Sequence, residues 1–470
     1  MSTLPPKPRP PLPEGPFLVV GLARSGSAVA QALAERGEEV IGCDAGHPEQ
    51  AEGLAGTGVE VNLDVDGLDL IERVRCVVKS PGVPNDTPVV AAGRARGRAV
   101  IGELEVAWRM VPNTFIAVTG TNGKTTVTEL IGHTRRRAAL PTAVAGNVGT
   151  PLASLAGAVD RDATVVCECS SFQLEDAEAF APECAVFLNL APDHRDRHPT
   201  LDEYLDAKLR IFAHQGNDDV AVYNADEPAL RGRDLGGCAR RVAFCGSRPE
   251  PGRPQTRSGG GGRLDDDCAV SLRRGVIYWG DDPVIEAGSI SLLGPHNVEN
   301  AMAATAASLA TGVPADAVCE GLEGFPGVPH RLEVVGEIDG VTYVNDSKAT
   351  NVAAATAALR SFERGVHAIL GGSLKGEGFE ALAEPVSERC VACYLIGEAA
   401  ERLDRDLAPA LEAGVALHRS GGLEDVVRAA AAAARPGEVV LLAPACASFD
   451  AYRDFEARGD HFRALVKGLQ

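Results

Sequence analysis

Aromatic side chains and positive charges are scarce in this sequence. Only 4% of its 470 residues are aromatic, and 45 Lys and Arg stand against 65 Asp and Glu, a formal net charge of −20 at pH 7. So acidic a chain repels polyanions, which excludes nucleic acid as a main partner and requires any phosphate site to be local. The remaining composition, 45% hydrophobic and 23% charged, is that of a folded globular protein.

Long apolar runs are also missing. No uninterrupted run reaches the roughly 18 residues that a membrane-spanning helix needs, so we predict no membrane span. The proline-rich residues 1–16 lack the apolar core of a secretory signal, and we predict a disordered leader there. The 12 cysteines are scattered along the chain, several of them inside apolar runs, which predicts reduced thiols and a cytoplasmic location.

Strand-like and helix-like segments alternate along the rest of the chain. This alternation predicts an α/β fold with parallel, doubly wound sheets, and the length corresponds to about three domains. We place an N-terminal Rossmann-like domain at 17–111, a central P-loop ATPase-type domain with a parallel sheet at 112–327, and a C-terminal Rossmann-like domain at 328–470. The turn-rich segment GLEGFPGVPH marks the second boundary.

The most informative segment is GTNGKTT, residues 120–126, between a predicted strand and a predicted helix. The backbone N–H groups of such a glycine-rich turn can surround a polyphosphate, Lys124 can offset its charge, and the Thr125 hydroxyl can bind Mg²⁺. The usual P-loop spacing would place glycine at position 118, where this chain has Val118. The residues alone therefore favour a nucleoside triphosphate site and leave a simple turn as the alternative.

Two features downstream could serve a metal ion, and a third, Lys208, is not expected to do so from its spacing. Glu168 ends an apolar run at the carboxyl end of a predicted strand, where α/β sheets bind ligands, and Mg²⁺ prefers such oxygen ligands. The polar run 193–198, DHRDRH, follows the next strand and is equally compatible with a solvated loop. Lys208, within YLDAKLRIF, is on spacing alone an exposed helical lysine.

The first block contains a degenerate dinucleotide-binding turn, GLARSG, at residues 21–26. Ala23 replaces the middle glycine of the fingerprint, and Asp44 closes the next strand about 20 residues later, where a Rossmann acid meets a ribose. NAD would be the default ligand, but Ala23 crowds the approach to a pyrophosphate while Arg24 adds a cation. We predict a nucleotide site of unspecified kind, with a structural turn as the alternative.

Polar side chains also follow three predicted strands of the third block. The segments are VNDSKATN at 344–351, GGSLKG at 371–376 and APACASFD at 443–450. Because the carboxyl ends of parallel strands meet at one edge of a sheet, these segments could form a pocket for a small anion. Helix caps and turns are the alternative for each segment taken singly.

Nine segments follow one another in an order that is specific for one family. They are GTNGKTT, AGNVGTP, ECSSFQL, NLAPDHRDRHPTLDEY, AKLRIF, LLGPHNVEN, PHRLE, NDSKATN and LLAPACASFDAYRDFEARGDHF. In this order they resemble the Mur ligases over residues 17–470, and NDSKATN and PACASFD are similar to the glutamate-adding branch. The resemblance implies an ATP-dependent amide ligase of peptidoglycan precursor synthesis that joins D-glutamate to UDP-N-acetylmuramoyl-L-alanine through an acyl phosphate.

The same resemblance implies catalytic and ATP-binding residues. Lys124 would contact the phosphates, Thr125 and Glu168 would hold one Mg²⁺, and His194 with a carbamylated Lys208 would hold a second Mg²⁺, since a carbamate is an anionic oxygen ligand. Lys124, Glu168, His194 and Lys208 are the implied catalytic residues. The implied ATP contacts are Thr121, Asn122, Gly123, Lys124, Thr125, Thr126, Val127, Asn297, Asn300, Arg331, Asp346 and Lys348.

The resemblance also implies which residues contact the two other substrates. Those of UDP-N-acetylmuramoyl-L-alanine are Leu22, Ala23, Arg24, Asp44, Ser80, Asn147, Gln173 and His194. Those of D-glutamate are Thr350, Lys375, Ser448 and Phe455. We expect a monomer with small-molecule substrates.

Two rival functions stay open at this point. A folylpolyglutamate-type ligase, or a related ligase with another amino acid, would share the central ATP chemistry, but a UDP-binding βαβ unit would have no purpose in a folate ligase. A nucleotide-binding regulatory protein would instead leave Glu168, His194 and Lys208 without a catalytic role.

Overall fold

The computed structural model describes residues 4–147, 149–195, 197–246, 268–374, 376, 378–412, 414–419 and 421–469. Contacts divide the chain into two compact units, residues 1–289 with 300–323 and residues 290–299 with 324–470. Among the described residues, the first unit contains two sheets and the second contains one, so the predicted α/β class is confirmed. No helix in the described part is both long and apolar enough to cross a membrane.

The first sheet is parallel throughout. Its elements are β1 (Phe17–Val20), α1 (Arg24–Glu35), β2 (Val40–Asp44), β3 (Glu60–Leu63), β4 (Cys76–Lys79), α2 (Pro88–Ala95), β5 (Ala99–Gly102) and α3 (Glu103–Met110). The strand order is β3-β2-β1-β4-β5. Phe17 and Val19 of β1 enter one core while Leu18 and Val20 enter the other, because successive side chains of a strand point to opposite faces.

Residues 4–16 follow a defined path along the first unit, unlike the disordered leader that their composition predicts. Arg9 donates to Glu183 Oε1 at 2.8 Å, and both side chains are almost fully buried. The guanidinium carbon of Arg9 also lies 4.5 Å from the centre of the Trp108 ring. Proline restricts the unfolded chain, so that ordering this segment costs little entropy, and a buried ion pair holds it in place.

In the described part of the chain, the central sheet has nine strands. Its elements are β6 (Phe115–Thr119), α4 (Lys124–Arg137), β7 (Thr142–Gly146), β8 (Thr164–Glu168), α5 (Ser171–Leu174), β9 (Cys184–Phe187), α6 (Leu201–Leu209), β10 (Val220–Asn224), β11 (Arg240–Cys245), β12 (Val270–Arg273), β13 (Val276–Trp279), β14 (Asp282–Glu286), α7 (Pro295–Ala310) and α8 (Ala315–Glu323). The strand order is β14-β13-β12-β11-β10-β9-β6-β8-β7.

This sheet is parallel from β7 to β12, as predicted, and β13 and β14 extend it as antiparallel strands. Arg274 and Gly275 form the two-residue connection between β12 and β13, with φ of +50° and +82°. Two successive residues with positive φ are typical of the tight turn of a β-hairpin.

Cys245 and Cys268 are joined by a disulfide, which corrects the prediction that all thiols are reduced. Because β11 and β12 are neighbouring parallel strands, the end of one and the start of the next bring the two cysteines together, which sequence spacing does not reveal. The glycine-rich stretch 249–263, predicted as a mobile loop, lies outside the described residues. Cys167, Cys169, Cys390 and Cys393 are free and buried.

The second unit contains the third sheet. Its elements are β15 (Glu333–Ile338), β16 (Val341–Asn345), α9 (Val352–Leu359), β17 (Val366–Gly371), α10 (Ala383–Arg389), β18 (Cys390–Ile396), α11 (Ala400–Asp406), α12 (Ala408–Glu412), β19 (Ala416–Arg419), α13 (Leu423–Ala433), β20 (Val439–Leu442) and α14 (Phe455–Lys467). The order is β15-β16-β20-β17-β18-β19, and only β15 is antiparallel to its neighbour. Ala368 and Leu370 enter one core and Ile369 the other.

Candidate active site

The glycine-rich loop of the central sheet connects β6 to α4, and contacts with neighbouring side chains hold it in one conformation. Gly123 caps α4 with φ of +83°, and a Cβ atom there would come 2.3 Å from Asn300 Oδ1. Asn189 accepts from Asn122 N at 2.9 Å and donates to Asn122 O at 3.1 Å. Val118 lies buried within β6, before the loop begins. The loop therefore ends at the N-terminus of a long helix, where backbone N–H groups attract phosphate.

Lys124 is the first residue of α4 and lies over this loop. Its Nζ donates to the carbonyl oxygens of Gly120 at 3.0 Å and Thr121 at 2.8 Å. The next residues of the predicted phosphate site, Thr126 and Val127, are buried in the first helical turn. The loop and the helix start thus bring a cation and backbone N–H groups to one edge of the sheet.

Glu168 is the last residue of β8, which pairs with β6, so its carboxylate lies at the same edge. Thr125 Oγ1 donates to Glu168 Oε2 at 2.6 Å, and Asn147 Nδ2 donates to Glu168 Oε1 at 3.1 Å. The Glu168 side chain is buried. A carboxylate beside a hydroxyl is the oxygen donor set that Mg²⁺ favours, so that Thr125 and Glu168 fit one Mg²⁺.

Lys208 is fully buried, and the spacing-based interpretation as an exposed helical lysine is wrong. Its Nζ donates to Gly120 O at 2.7 Å and lies 4.4 Å from the centre of the Tyr204 ring. Burial, together with the charge of Lys124, lowers the pKa of Lys208 well below its usual value. An amine in this setting favours its neutral form.

His194 lies in the loop after β9 with φ of +53° and a side chain that is 44% exposed. Its ring centre lies 4.8 Å from that of Phe172 and 6.2 Å from that of Tyr204. Among the described residues, no group of three or more His, Cys, Asp or Glu side chains could hold a metal ion. The second Mg²⁺ implied for His194 and Lys208 therefore stays a prediction.

The degenerate turn of the first domain is held by the residues predicted to bind UDP. Asp44 Oδ2 accepts from Leu22 N at 2.7 Å, and Ser80 Oγ donates to Gly21 O at 2.7 Å. A Cβ atom at Gly26 would come 1.8 Å from Gly21 O, so only glycine fits this close approach. Asp44 and Ser80 thus have a structural role in the turn, and their contact with UDP stays a prediction.

Three further residues predicted to contact the UDP substrate have protein contacts in the same unit. Ala23 precedes α1, and Arg24, its first residue, donates to Gly149 O. Gln173 is buried, and its Oε1 accepts from Ser170 N at 2.9 Å in a reciprocal capping box at the start of α5. This local role satisfies the Gln173 oxygen without any substrate.

The second unit brings several predicted ATP residues together after β16. Asp346 accepts from Leu332 N at 3.3 Å. Burial raises the pKa of Asp346 to about 7, and the positive charge of Arg331 opposes that rise. Lys348 Nζ lies 3.6 Å from the centre of the Phe455 ring, a cation–π contact between a predicted ATP residue and a predicted D-glutamate residue.

The remaining predicted residues are distributed as follows. Thr350 is half-buried and Ser448 is buried, both in the second unit. Lys375 lies outside the described residues. Asn297, in the same unit, donates to Leu293 O at 2.7 Å, whereas Asn300 belongs to the first unit.

Arg458 is a buried residue of this region that the motif interpretation did not single out, although it lies within FEARGDHF. Its guanidinium donates to the carbonyl oxygens of Ser347 at 2.9 Å, Cys446 at 3.1 Å and Ala447 at 3.1 Å. It thereby joins the NDSKATN and PACASFD segments. The sequence signal that could have identified Arg458 is that it is a charged residue inside an amphipathic helix.

Two domain families of one enzyme class match the sequence. The Mur ligase middle domain matches residues 118–251, and the Mur ligase glutamate ligase domain matches residues 330–446. Together with the relatives described next, these matches show that the chain belongs to the Mur ligase family.

The relatives are named UDP-N-acetylmuramoylalanine–D-glutamate ligase. The one from Pelotomaculum thermopropionicum is 40% identical over 458 residues, 96% of this chain and 97% of the relative. The one from Geobacter metallireducens is 41% identical over 457 residues, with the same two coverages.

Solved structures of similar fold are more distant in sequence. UDP-N-acetylmuramate–alanine ligase from Thermotoga maritima aligns with a TM-score of 0.60 at 18% identity, covering 97% of this chain and all of that chain. The MurF ligase of the same organism, solved in complex with ADP, aligns with a TM-score of 0.56 at 18% identity, covering 86% and 92%. These structures support the three-sheet ligase fold.

Proposed function

We propose that this protein is an ATP-dependent amide ligase that joins D-glutamate to UDP-N-acetylmuramoyl-L-alanine. The observation that carries the reaction class is the edge of the central sheet, where Lys124 lies over the loop and Thr125 pairs with Glu168 at 2.6 Å. The particular substrates rest on the relatives of about 40% identity, which span nearly the whole chain. A cytoplasmic location and a monomeric state belong to the same proposal.

The reaction consists of two displacements. An oxygen of the substrate carboxylate attacks the γ-phosphorus of ATP, the bond to the β–γ bridging oxygen breaks, and ADP leaves with an acyl phosphate remaining. The amine of D-glutamate then attacks the acyl carbon, phosphate leaves, and loss of a proton gives the amide. Both partners of the first displacement are anionic, so the main demand on the protein is electrostatic.

The residues of the loop edge meet this demand in distinct ways. Lys124 would bind the β- and γ-phosphates, and Thr125 with Glu168 would hold one Mg²⁺. When bound, Mg²⁺ would offset negative charge on the transferred group. Asn147 holds the Glu168 carboxylate in orientation from the other side, and fixed geometry of this kind contributes through positioning.

Lys208 would contribute through its uncharged amine. Its lowered pKa raises the neutral fraction, and only the neutral amine reacts with carbon dioxide. In that step a bond forms between Nζ and the carbon and one proton is lost, which leaves an anionic carbamate. Such a carbamate, with His194, would supply oxygen and nitrogen ligands for a second Mg²⁺.

The test is a reconstituted reaction with purified protein, ATP, Mg²⁺ and UDP-N-acetylmuramoyl-L-alanine. The mixture contains D-glutamate, L-glutamate, L-lysine and diaminopimelate as competing amino acids. Mass spectrometry identifies the product by its mass. We expect the D-glutamate adduct with one phosphate released per amide. No product from any of the four would refute the proposal, and another adduct would change the assigned amino acid.

A thermal-shift comparison separates the ligase from a folylpolyglutamate-type enzyme. We expect UDP-sugars to raise the melting temperature and folates to leave it unchanged, because the degenerate turn held by Asp44 and Ser80 suits a nucleotide. Lys124→Ala serves as the control that retains the first-domain site but lacks turnover.

A further inference from the structure

Lys79 is a buried cation at the end of β4 that belongs to none of the predicted sites. Its side chain is 0% exposed. The Nζ atom donates to Val83 O at 2.9 Å and to Glu175 Oε1 at 3.3 Å, and it lies 2.7 Å from Asp176 Oδ2. Because a buried ammonium is costly unless it is paired, these acceptors are arranged around the charge of Lys79.

Arg197 meets two of the same acceptors from the other side. It donates to Val83 O at 3.1 Å and through Nε to Glu175 Oε1 at 3.0 Å. Lys79, Val83, Arg197 and Glu175 thus form a closed ring of hydrogen bonds. With Asp176 included, the buried cations Lys79 and Arg197 face two carboxylates, and the half-exposed Arg94 lies 3.7 Å from the other oxygen of Asp176.

This ring connects two predicted substrate regions. On one side, Lys79 is followed directly by Ser80, which holds the glycine turn of the first domain through Gly21 O. On the other side, Arg197 N donates to His194 O at 3.0 Å. The Arg197 guanidinium also lies 5.4 Å from the centre of the Phe172 ring, against which the His194 ring packs. A displacement of Arg197 would therefore displace His194.

We propose that Lys79 is a positioning residue. It would fix the degenerate turn of the first domain, residues 21–26, relative to His194, acting through Glu175 and Arg197. The kinetic consequence rests on the proposed function, because it assumes that His194 and Ser80 contact the substrates. The structural consequence is that the backbone hydrogen bonds from Arg197 and His198 to His194 O stay closed, and this does not depend on any activity.

The experiment compares Lys79→Met with Arg73→Met. The control removes the partner of Glu60 in the same domain, an ion pair of 2.6 Å whose two side chains are about half exposed. Amide exchange of Arg197 and His198, whose N–H groups donate to His194 O at 3.0 and 2.9 Å, is measured in each variant. We expect it to rise at least about tenfold in Lys79→Met and to stay at the wild-type rate in Arg73→Met.

Kinetics supply the second readout. We expect the kcat/KM for UDP-N-acetylmuramoyl-L-alanine to fall at least about tenfold in Lys79→Met while the KM for ATP stays within about twofold, because the loop that carries Lys124 is outside the ring. Destabilisation alone would instead lower the folded fraction and leave both constants of the folded enzyme unchanged.

Each outcome decides one question. Wild-type exchange and wild-type kcat/KM in folded Lys79→Met would overturn the inference. If that variant does not fold, the double variant Lys79→Met/Asp176→Asn is used, because it removes one cation and one carboxylate together and keeps Glu175 paired with Arg197. Wild-type exchange in the folded double variant would overturn the inference equally. Raised exchange in Lys79→Met together with a wild-type protein that forms no product would refute the proposed function and leave the positioning role supported.

Discussion

Lys79 and Lys208 are both fully buried lysines of the first unit, and their surroundings differ in charge. Lys79 lies beside the carboxylates of Glu175 and Asp176. Lys208 contacts a carbonyl oxygen and the face of an aromatic ring, and Lys124 lies nearby. Burial and the charge of Lys124 lower the pKa of Lys208, and the carboxylates of Asp193 and Glu168 oppose that fall. We therefore propose that a buried lysine serves geometry in one place and chemistry in the other.

Two buried carboxylates of the same unit repeat this contrast. Glu183 accepts from Arg9, with both side chains nearly inaccessible. Burial instead raises the pKa of Glu103 to about 7, and the nearby Gln173 side chain and Ala153 backbone oppose that rise. A paired carboxylate should therefore affect stability when its partner is removed, and an unpaired one should affect it through its own ionisation.

The largest expected effect is at Lys208. Lys208→Met removes the neutral amine, and we expect kcat to fall at least about 10³-fold, as when a preorganised electrostatic group is lost. Phosphate release in the reconstituted reaction measures it, with the exposed Lys467→Met as control. Retention of more than a tenth of the wild-type kcat would remove Lys208 from the catalytic residues.

Arg9→Met should have the next largest effect. It leaves the buried Glu183 carboxylate without its guanidinium partner, and breaking such a pair costs about 3–5 kcal/mol. Urea unfolding monitored by circular dichroism gives the free energy of unfolding. A loss below about 1 kcal/mol would show that residues 4–16 contribute little to the first unit.

Glu103→Gln tests the opposite case, a buried carboxyl whose charge is unfavourable. Its folded-state pKa of about 7 lies above the ordinary value of 4.5, so the folded protein binds more protons between these values and stability falls as pH rises through them. We expect Glu103→Gln to gain at most about 3 kcal/mol at pH 8 and nothing at pH 4. An equal change in unfolding free energy at both pH values would contradict this assignment.

The smallest effect should come from Arg73→Met. Arg73 and Glu60 pair at 2.6 Å, but both side chains are about half exposed, and water and salt screen such exposed ion pairs so that they contribute little to stability. Unfolding at low and high salt should show a small loss that salt abolishes. If Arg73→Met lost as much unfolding free energy as Arg9→Met, burial would not explain the difference between buried and exposed ion pairs.

Much of the fold follows from patterns within short segments. Apolar runs such as FLVV gave β1 within its observed bounds, and GTNGKTT indicated the loop between β6 and α4. The antiparallel direction of β13 and β14 could not be predicted, because an apolar run does not reveal the direction of a strand. The disulfide of Cys245 with Cys268 escaped because it depends on which strands are neighbours.

The amino-acid sequence by itself determined the α/β class, the order of the elements and the loop that presents Lys124, because these depend on periodicity and on turn residues close in the chain. Only the tertiary structure decided that Lys208 is buried, that residues 4–16 are anchored by Glu183 and that Lys79 is enclosed with Arg197. Burial and pairing of charges depend on residues far apart along the chain, and the free energy of an ionised side chain follows from that environment rather than from its neighbours in sequence.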